Sequence, residues 1–346
     1  MGGNSGRFRK EMKEKIRDSL LAAGAVEVGF SRAGVLPEKL TARFDAWIEE
    51  GANAGMGYLK NHATLRKDLD NVLPGCRTVV SMAFSYAPKG FRDESLPIIA
   101  CYAYGEDYHD VIRERTAPVI GDLKAKYGGE WRLCIDSAPV AERHYALKGG
   151  VGFLGKNSCV ITKGAGCYTF LAELLTTLEI EPDNPSTQTC EGCGKCINAC
   201  PTGALRMDST IDSRKCLSYL TIEKKGDWTE DEKKTIRKSR VEALFGCDIC
   251  VRVCPHNGGR REFRMGVFQD DATDTKKTWD AAAIHPTSPT SIEEFRPNED
   301  ILKLTDECVM KMTPEEFNTL FHHSPLKRAK LAGLRRNAIR NNSSLP

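Results

Sequence analysis

The sequence predicts an α+β protein in three parts: a mixed α/β N-terminal half, a small cysteine-rich domain and a short helical C-terminal segment. Three observations carry this. Helical and strand-like periodicities alternate up to about residue 181, eight of the fourteen cysteines crowd into residues 190–254, and the stretch from Phe321 onward holds six cations and no acid. With 346 residues and 40% hydrophobic content, the chain is long enough for two or so domains with a sizeable core. The expected boundaries are 1–181, 182–260 and 261–346.

Taken in order, Phe8 to Ala23 has helical spacing, Val26 to Ser31 reads as a short strand and Leu36 to Glu50 as a helix. Thr78 to Phe84 (TVVSMAF) is expected to be a buried strand. Asp107 to Lys126 is expected to be a helix broken or bent at Pro118. A strand from Arg132 to Ile135 ends at Asp136, and a helix follows Pro139 up to Lys148. Glycines and a strand pair come next, Cys159 to Thr162 and Cys167 to Thr177. The proline-bearing stretch Glu181 to Pro185 is the linker into the cysteine region. Beyond Pro255 the sequence is polar and irregular to about Pro297, then gives short helices and a basic tail.

Cys190, Cys193, Cys196 and Cys200 follow C-x2-C-x2-C-x3-C, with Pro201 next. Cys247, Cys250 and Cys254 follow C-x2-C-x3-C, with Pro255 next. A tight C-x2-C-x2-C loop supplies three thiolates to a [4Fe-4S] cube, and in two-cluster ferredoxins the cysteine before proline serves the other cube. That predicts Cys190, Cys193, Cys196 and Cys254 on one cluster. The second takes Cys200, Cys247, Cys250 and one more thiolate, for which Cys216 between the blocks is the natural source, since Leu244 stands where the second block would carry its own. Zinc prefers paired C-x2-C knuckles, which this spacing does not offer. A disulfide framework does not suit a chain without a secretory signal. No apolar run approaches the roughly 20 residues of a membrane span, so the chain reads as soluble and cytoplasmic, in a reducing compartment.

Gly150, Gly152 and Gly155 satisfy G-x-G-x-x-G, but a helix precedes them and a strand follows, the reverse of a dinucleotide-binding loop. A helix cap and turn is the plainer reading. Asp136 ends a strand, where a carboxyl can face a pocket, although Asp before Ser-x-Pro is commonly a turn or cap residue. His109 taken alone reads as a helix-surface histidine. The corrinoid pattern D-x-H-x-x-G fails there, because position 112 is Ile.

Six segments decide more than spacing does: Tyr104-Gly-Glu-Asp-Tyr-His109, Asp136-Ser-Ala-Pro139, Gly152-Phe-Leu-Gly-Lys-Asn157, Cys216-Leu-Ser-Tyr-Leu-Thr-Ile-Glu223, Phe245-Gly-Cys-Asp-Ile-Cys250 and Ser324-Pro-Leu-Lys-Arg-Ala-Lys330. In order, from about Met12 to Asn337, the chain resembles the epoxyqueuosine reductases, whose architecture the reductive dehalogenases share. The resemblance implies a nitroreductase-like corrinoid-binding domain followed by a bacterial-ferredoxin-like one. It also implies a cobalamin held base-off with no protein lower ligand, and reduction of the epoxide of epoxyqueuosine in tRNA. Asp136 would be the general acid, which requires a raised pKa. Tyr58, Asn157, Val160, Leu171, Ser218 and Asp248 would line the corrinoid, and an unidentified low-potential donor would feed the clusters.

The chain departs from the family at Cys101, where Arg is common, and at Val251 and His256, where Gln and Trp often stand. Many relatives continue past the Lys-Arg-Ala-Lys segment into helical repeats that help hold tRNA. With the sequence ending at Pro346, Lys224, Lys225, Lys327, Arg328, Lys330, Arg335 and Arg336 are the expected tRNA contacts, against the plainer reading of a solvated helix face. Two alternatives stay open: a paralogue acting on a small organohalide or other epoxide, and a non-catalytic electron carrier or corrinoid reductase.

Overall fold

In a computed structural model, residues 3–190, 192–258, 267–269, 276–278 and 288–341 are described. The N-terminal half is built on an antiparallel four-stranded sheet in the order β1 (Glu27–Arg32), β2 (Thr78–Ser85), β7 (Thr169–Thr176), β4 (Trp131–Cys134). Every residue of β2 is buried, including Thr78, Ser81 and Ser85, as expected of a central strand covered on both faces. Met12, Ile16 and Leu20 of helix Gly3–Ala22 and Val111 and Ile112 of helix Tyr108–Tyr127 pack with Val80, Met82, Phe84 and Leu174 on one face. Val79, Leu175 and Ala83 on the other face meet Tyr145 and Ala146 of helix Glu142–Lys148. That division is the period of two along each strand.

The Tyr108–Tyr127 helix runs through Pro118 without the break that is one of the two expectations there. Pro118 and Glu114, whose carbonyl the proline deprives of a donor, are both exposed, so water replaces the lost bond. The strands near 160 and 170 form, but they do not pair as expected. β6 (Val160–Thr162) pairs with β5 (Gly152–Leu154), and β7 joins the main sheet. Gly150, at φ +76°, ends helix Glu142–Lys148, so the glycine motif spans a helix cap and a hairpin strand.

The linker is not loose. Asp183 accepts from the Phe30 amide at 2.9 Å and pairs with Lys13 at 2.6 Å and Arg17 at 2.8 Å. Beyond it, helices Lys195–Ala199 and Ile249–Arg252 carry the cysteine blocks, and a π-helical turn runs from Tyr219 to Glu223. Strand β8 (Ala243–Phe245) pairs in parallel with β3 (Ile98–Ile99) of the first half. One core includes Tyr104, Ile161 and Tyr168 with Leu244, Phe245 and Cys254, so the two halves are packed as one body. Gly166, at φ +63°, lets β6 and β7 approach this seam, since an added Cβ would meet Asn257 Oδ1 at 2.5 Å.

Of the region expected to be irregular, 267–269 and 276–278 pair antiparallel, and most of 259–287 lies outside the described residues. The basic tail forms helix Lys330–Asn341. It docks through buried Leu334 and Ala338 on the core shared by the two halves.

Candidate active site

Asp136 follows β4 at φ +47°, a left-handed conformation that a non-glycine residue holds only when its surroundings impose it. Cys134 pairs with Glu173, and continuing that register sets Asp136 level with Leu171, which is half-buried. The Asp136 amide donates to Glu142 Oε1 at 2.6 Å. Its carboxylate accepts from the Tyr108 hydroxyl at 3.0 Å. His109 Nε2 stands 3.7 Å from the same oxygen, an ionic contact too long for a hydrogen bond. The side chain keeps 65% of its accessible surface while Tyr58, Tyr102, Tyr108, His109 and Arg328 all bear on its charge or feel it, so it stands open between the elements that carry them, in what is taken as a cleft.

His109 is held from behind. Asp107 caps the Tyr108–Tyr127 helix, accepting from the His109 amide at 3.1 Å and bonding its Nδ1 at 2.8 Å. Lys327 reaches the other Asp107 oxygen at 2.9 Å. Burial alone would make His109 less basic, but Asp107 and Asp136 outweigh it and raise the imidazole to about 9. The same contact, with Tyr108, holds Asp136 below its ordinary value against the pull of burial. The expectation of a raised Asp136 is therefore corrected: at neutral pH the proton resides on His109. Tyr108 is fixed by stacking on Phe170, with ring centroids 4.2 Å apart. Neither Tyr108 nor His109 stood out as a site residue in the sequence. The signal was the Asp107 cap two residues before a histidine.

The other expected cofactor residues divide. Tyr58 is 43% exposed and faces Glu223 and Asp136 across the cleft; burial first, then those charges, raise its hydroxyl to about 12. Ser218 heads the Tyr219–Glu223 turn and its hydroxyl makes no cap bond. Asn157 is buried and donates to the Cys250 carbonyl at 3.2 Å and to Cys167 Sγ at 3.4 Å, joining the β5–β6 loop to the second cysteine block. Val160 is buried with Ala83, Ala146 and Val151. Asp248 is buried and committed internally, accepting from the Cys101 amide at 2.8 Å and pairing with Arg252 at 2.8 Å.

Electrostatic influence runs between cysteines within each expected set. After burial, the charges of Cys190, Cys254 and Cys193 bear on Cys196 and raise its thiol to about 11. Cys200 and Cys216 likewise act on Cys247 and Cys250, and burial pushes up the thiols of Cys216, Cys247 and Cys250. Four mutually repelling thiolates are a donor set that iron relieves, since a bound metal holds its thiolates deprotonated. Among the described residues no three His, Cys, Asp or Glu side chains close on a single ion.

Of the basic residues, Arg336 lies over Trp228 at 4.7 Å and donates to the Lys224 and Gly226 carbonyls at 2.8 and 2.6 Å. Arg335 donates to the Met312 carbonyl at 2.6 Å, and Lys224 pairs with Glu232 at 2.9 Å. These three hold the tail and its neighbours together. Arg328 grips Glu223 with two bonds of 2.8 Å at the cleft rim, while Lys225 and Lys330 are exposed.

A family described as a 4Fe-4S double cluster binding domain matches residues 189–257, and one described as epoxyqueuosine reductase QueG, DUF1730, matches 66–137. The epoxyqueuosine reductase of Cyclobacterium marinum is 36% identical over 330 residues, spanning 92% of this chain and 96% of that protein. That of Salmonella typhimurium is 34% identical over 83% of this chain and 73% of its own length. Among solved structures, an epoxyqueuosine reductase with an epoxyqueuosine-modified tRNA-Tyr stem loop superposes with a TM-score of 0.78 at 26% identity, covering 96% of this chain and 81% of that one. The Streptococcus thermophilus enzyme gives 0.75 at 25%, covering 95% and 80%.

Proposed function

The chain belongs to the epoxyqueuosine reductase family, and we infer that it is an iron–sulfur oxidoreductase that reduces epoxyqueuosine in tRNA to queuosine with a cobalamin beside Asp136. The net reaction takes an epoxide, two electrons and two protons to an alkene and water. The observation that carries the reading is the constellation Asp107–His109–Asp136–Tyr108, which presents a strained carboxylate with a proton beside it in an open cleft.

A flat corrinoid suits this lining, since Leu171 and Ser218 are half-buried and Tyr58 is 43% exposed, leaving surface for it to cover. Bound there, it would supply a low-potential metal centre for the carbon from which oxygen departs. Cys190, Cys193, Cys196 and Cys254 would hold one [4Fe-4S] cluster, and Cys200, Cys216, Cys247 and Cys250 the other, delivering electrons singly. The buried commitments of Val160 and Asp248 suit a supporting role, keeping the wall and the cluster loop in place.

The chain's own work is proton handling. In the open cleft the proton resides on His109 and Asp136 is a carboxylate. Covering the cleft removes water from both, which disfavours the ion pair and moves the proton toward the Asp136 oxygen. Asp136 then gives it to the departing epoxide oxygen, and Tyr108 keeps that carboxyl aimed. Lys225 and Lys330, open to solvent near the rim residue Arg328, are the phosphate contacts of the tRNA.

The test is nucleoside analysis of epoxyqueuosine-containing tRNA after incubation with anaerobically reconstituted protein, cobalamin and a strong reductant. Queuosine is expected, and only with cobalamin present. Cluster reduction without queuosine, together with turnover of a small epoxide or organohalide, would overturn the tRNA assignment.

A further inference from the structure

Behind Asp136 lies a pair of carboxyls that the proton-handling scheme leaves unused. Glu173 sits mid-strand on β7, 0% exposed, between Ser81 of β2 and Cys134 of β4. No donor reaches either of its oxygens. The Glu142 carboxyl meets it from helix Glu142–Lys148, which packs on that face of the sheet. An ionised carboxylate so buried and unpaired is too costly to persist, so the two groups hold a proton between them. Glu142 Oε1 in turn accepts the Asp136 amide at 2.6 Å, and Asp136 is the residue at φ +47°.

We propose that Glu142 and Glu173, joined by one proton, form a latch that holds the Asp136 loop in its strained conformation, making both positioning residues for the carboxyl that delivers the proton. The proposal rests on the reading of Asp136 as that carboxyl. The protonated Glu173 donates to one Glu142 oxygen, leaving the other to accept from the Asp136 amide. Loss of that proton sets two carboxylates against each other and frees Glu142 to turn away.

The groups facing the pair do not replace the proton. Arg66, from helix Ala63–Lys67 and bonded to the Val140 carbonyl at 2.8 Å, and Arg143, on Glu142's own helix and bonded to the Ser158 carbonyl at 2.9 Å, favour the charged Glu142 but do not outweigh its burial. Asp136 in the loop adds negative charge, and Tyr108 and Cys134 are neutral thanks to burial. Burial, then the Asp136 charge, raises Glu142, and burial with Glu142 raises Glu173. The latch is therefore closed at neutral pH and opens as the pH rises through the pair's raised range.

The test reads hydrogen exchange of the 135–140 amides, and turnover against pH, in the protein loaded with clusters and cobalamin. Glu142→Ala is expected to speed exchange at the Asp136 amide and lower kcat about 100-fold with KM for tRNA unchanged. Glu142→Gln, which keeps the acceptor, is expected to retain protection, so that a folding defect in the alanine variant is told apart from loss of the latch. Glu173→Gln donates to Glu142 at every pH and is expected to move the alkaline limb of the profile upward, toward that of His109. Unchanged exchange in Glu142→Ala, or an unmoved limb in Glu173→Gln, would overturn the proposal. Full turnover by Asp136→Asn would overturn the acid assignment instead, and the exchange result would still judge the latch.

Discussion

On the proposed reading, the cysteine-rich domain and the N-terminal half answer the same need, delivery of electrons and protons to one cleft, by opposite constructions. Three thiolates of the first proposed set lie within seven residues of one loop, and a single distant one, Cys254, completes it, so most of its geometry is local. The proton site instead assembles Tyr58, Tyr102, Tyr108, His109, Asp136, Glu142 and Arg328 from separate elements. A local device fails only when its own ligands change. A dispersed one fails when any element that aims it moves.

The largest effects belong to the local device. Cys254→Ala and Cys216→Ala are each expected to remove one cluster and abolish turnover, with iron and sulfide analysis and electron paramagnetic resonance showing the other cluster retained. Retention of both clusters in Cys216→Ala would break the assignment of that lone thiolate. Next comes Asp136→Asn, expected to lower turnover about 10²–10⁴-fold while both clusters and bound cobalamin persist. His109→Gln is expected to cost about 10²-fold and to remove the proton reserve.

In the wild type the alkaline limb should lie no higher than about 9, where the imidazolium loses its proton. Because the folded state makes His109 more basic, its share of stability is complete below its ordinary value of 6.5 and is lost as pH rises through about 9. Urea denaturation across that range, with and without His109→Gln, checks the sign.

Smaller effects sharpen the comparison at the seam between the halves and the tail. Asn337 is fully buried and donates to the Thr221 and Leu244 carbonyls at 2.9 and 2.8 Å, tying the tail helix to the cluster domain. Asn337→Ala is expected to cost about 1–3 kcal/mol in denaturant unfolding, because those buried carbonyls lose their donor. Replacing Lys225 and Lys330 by Ala is expected to weaken tRNA binding mildly and to reduce the salt slope by roughly 0.7–0.9 for each phosphate no longer neutralised.

The double-cluster domain was legible because cysteine spacing within a loop follows from the spacing of ligands around a cluster. Strand β2 was legible because eight consecutive buried positions leave their mark in composition. The sequence singled out Asp136, but the raised pKa expected of it is reversed in the fold, where His109 and Tyr108 hold it down. Nothing in the residues near Asp136 announces that His109, 27 positions earlier, lies 3.7 Å away. The left-handed backbone of Asp136 and the reach of Glu142 to its amide come from tertiary packing. Arg336 misleads in the opposite sense. In sequence it belongs to a basic face suited to phosphate, yet in the fold it closes the Tyr219–Glu223 turn over Trp228. Charge in a run says where cations are, and only packing says which are already spent.

The most direct measurement is single-turnover conversion of epoxyqueuosine to queuosine in tRNA across pH 6–10, with chemically reduced wild type, Asp136→Asn and His109→Gln compared at matched cluster and cobalamin content. A wild-type profile that falls on the alkaline side, loss of conversion in Asp136→Asn and loss of the His109-dependent limb in His109→Gln are the predicted results. Conversion by Asp136→Asn at the wild-type rate would contradict the account.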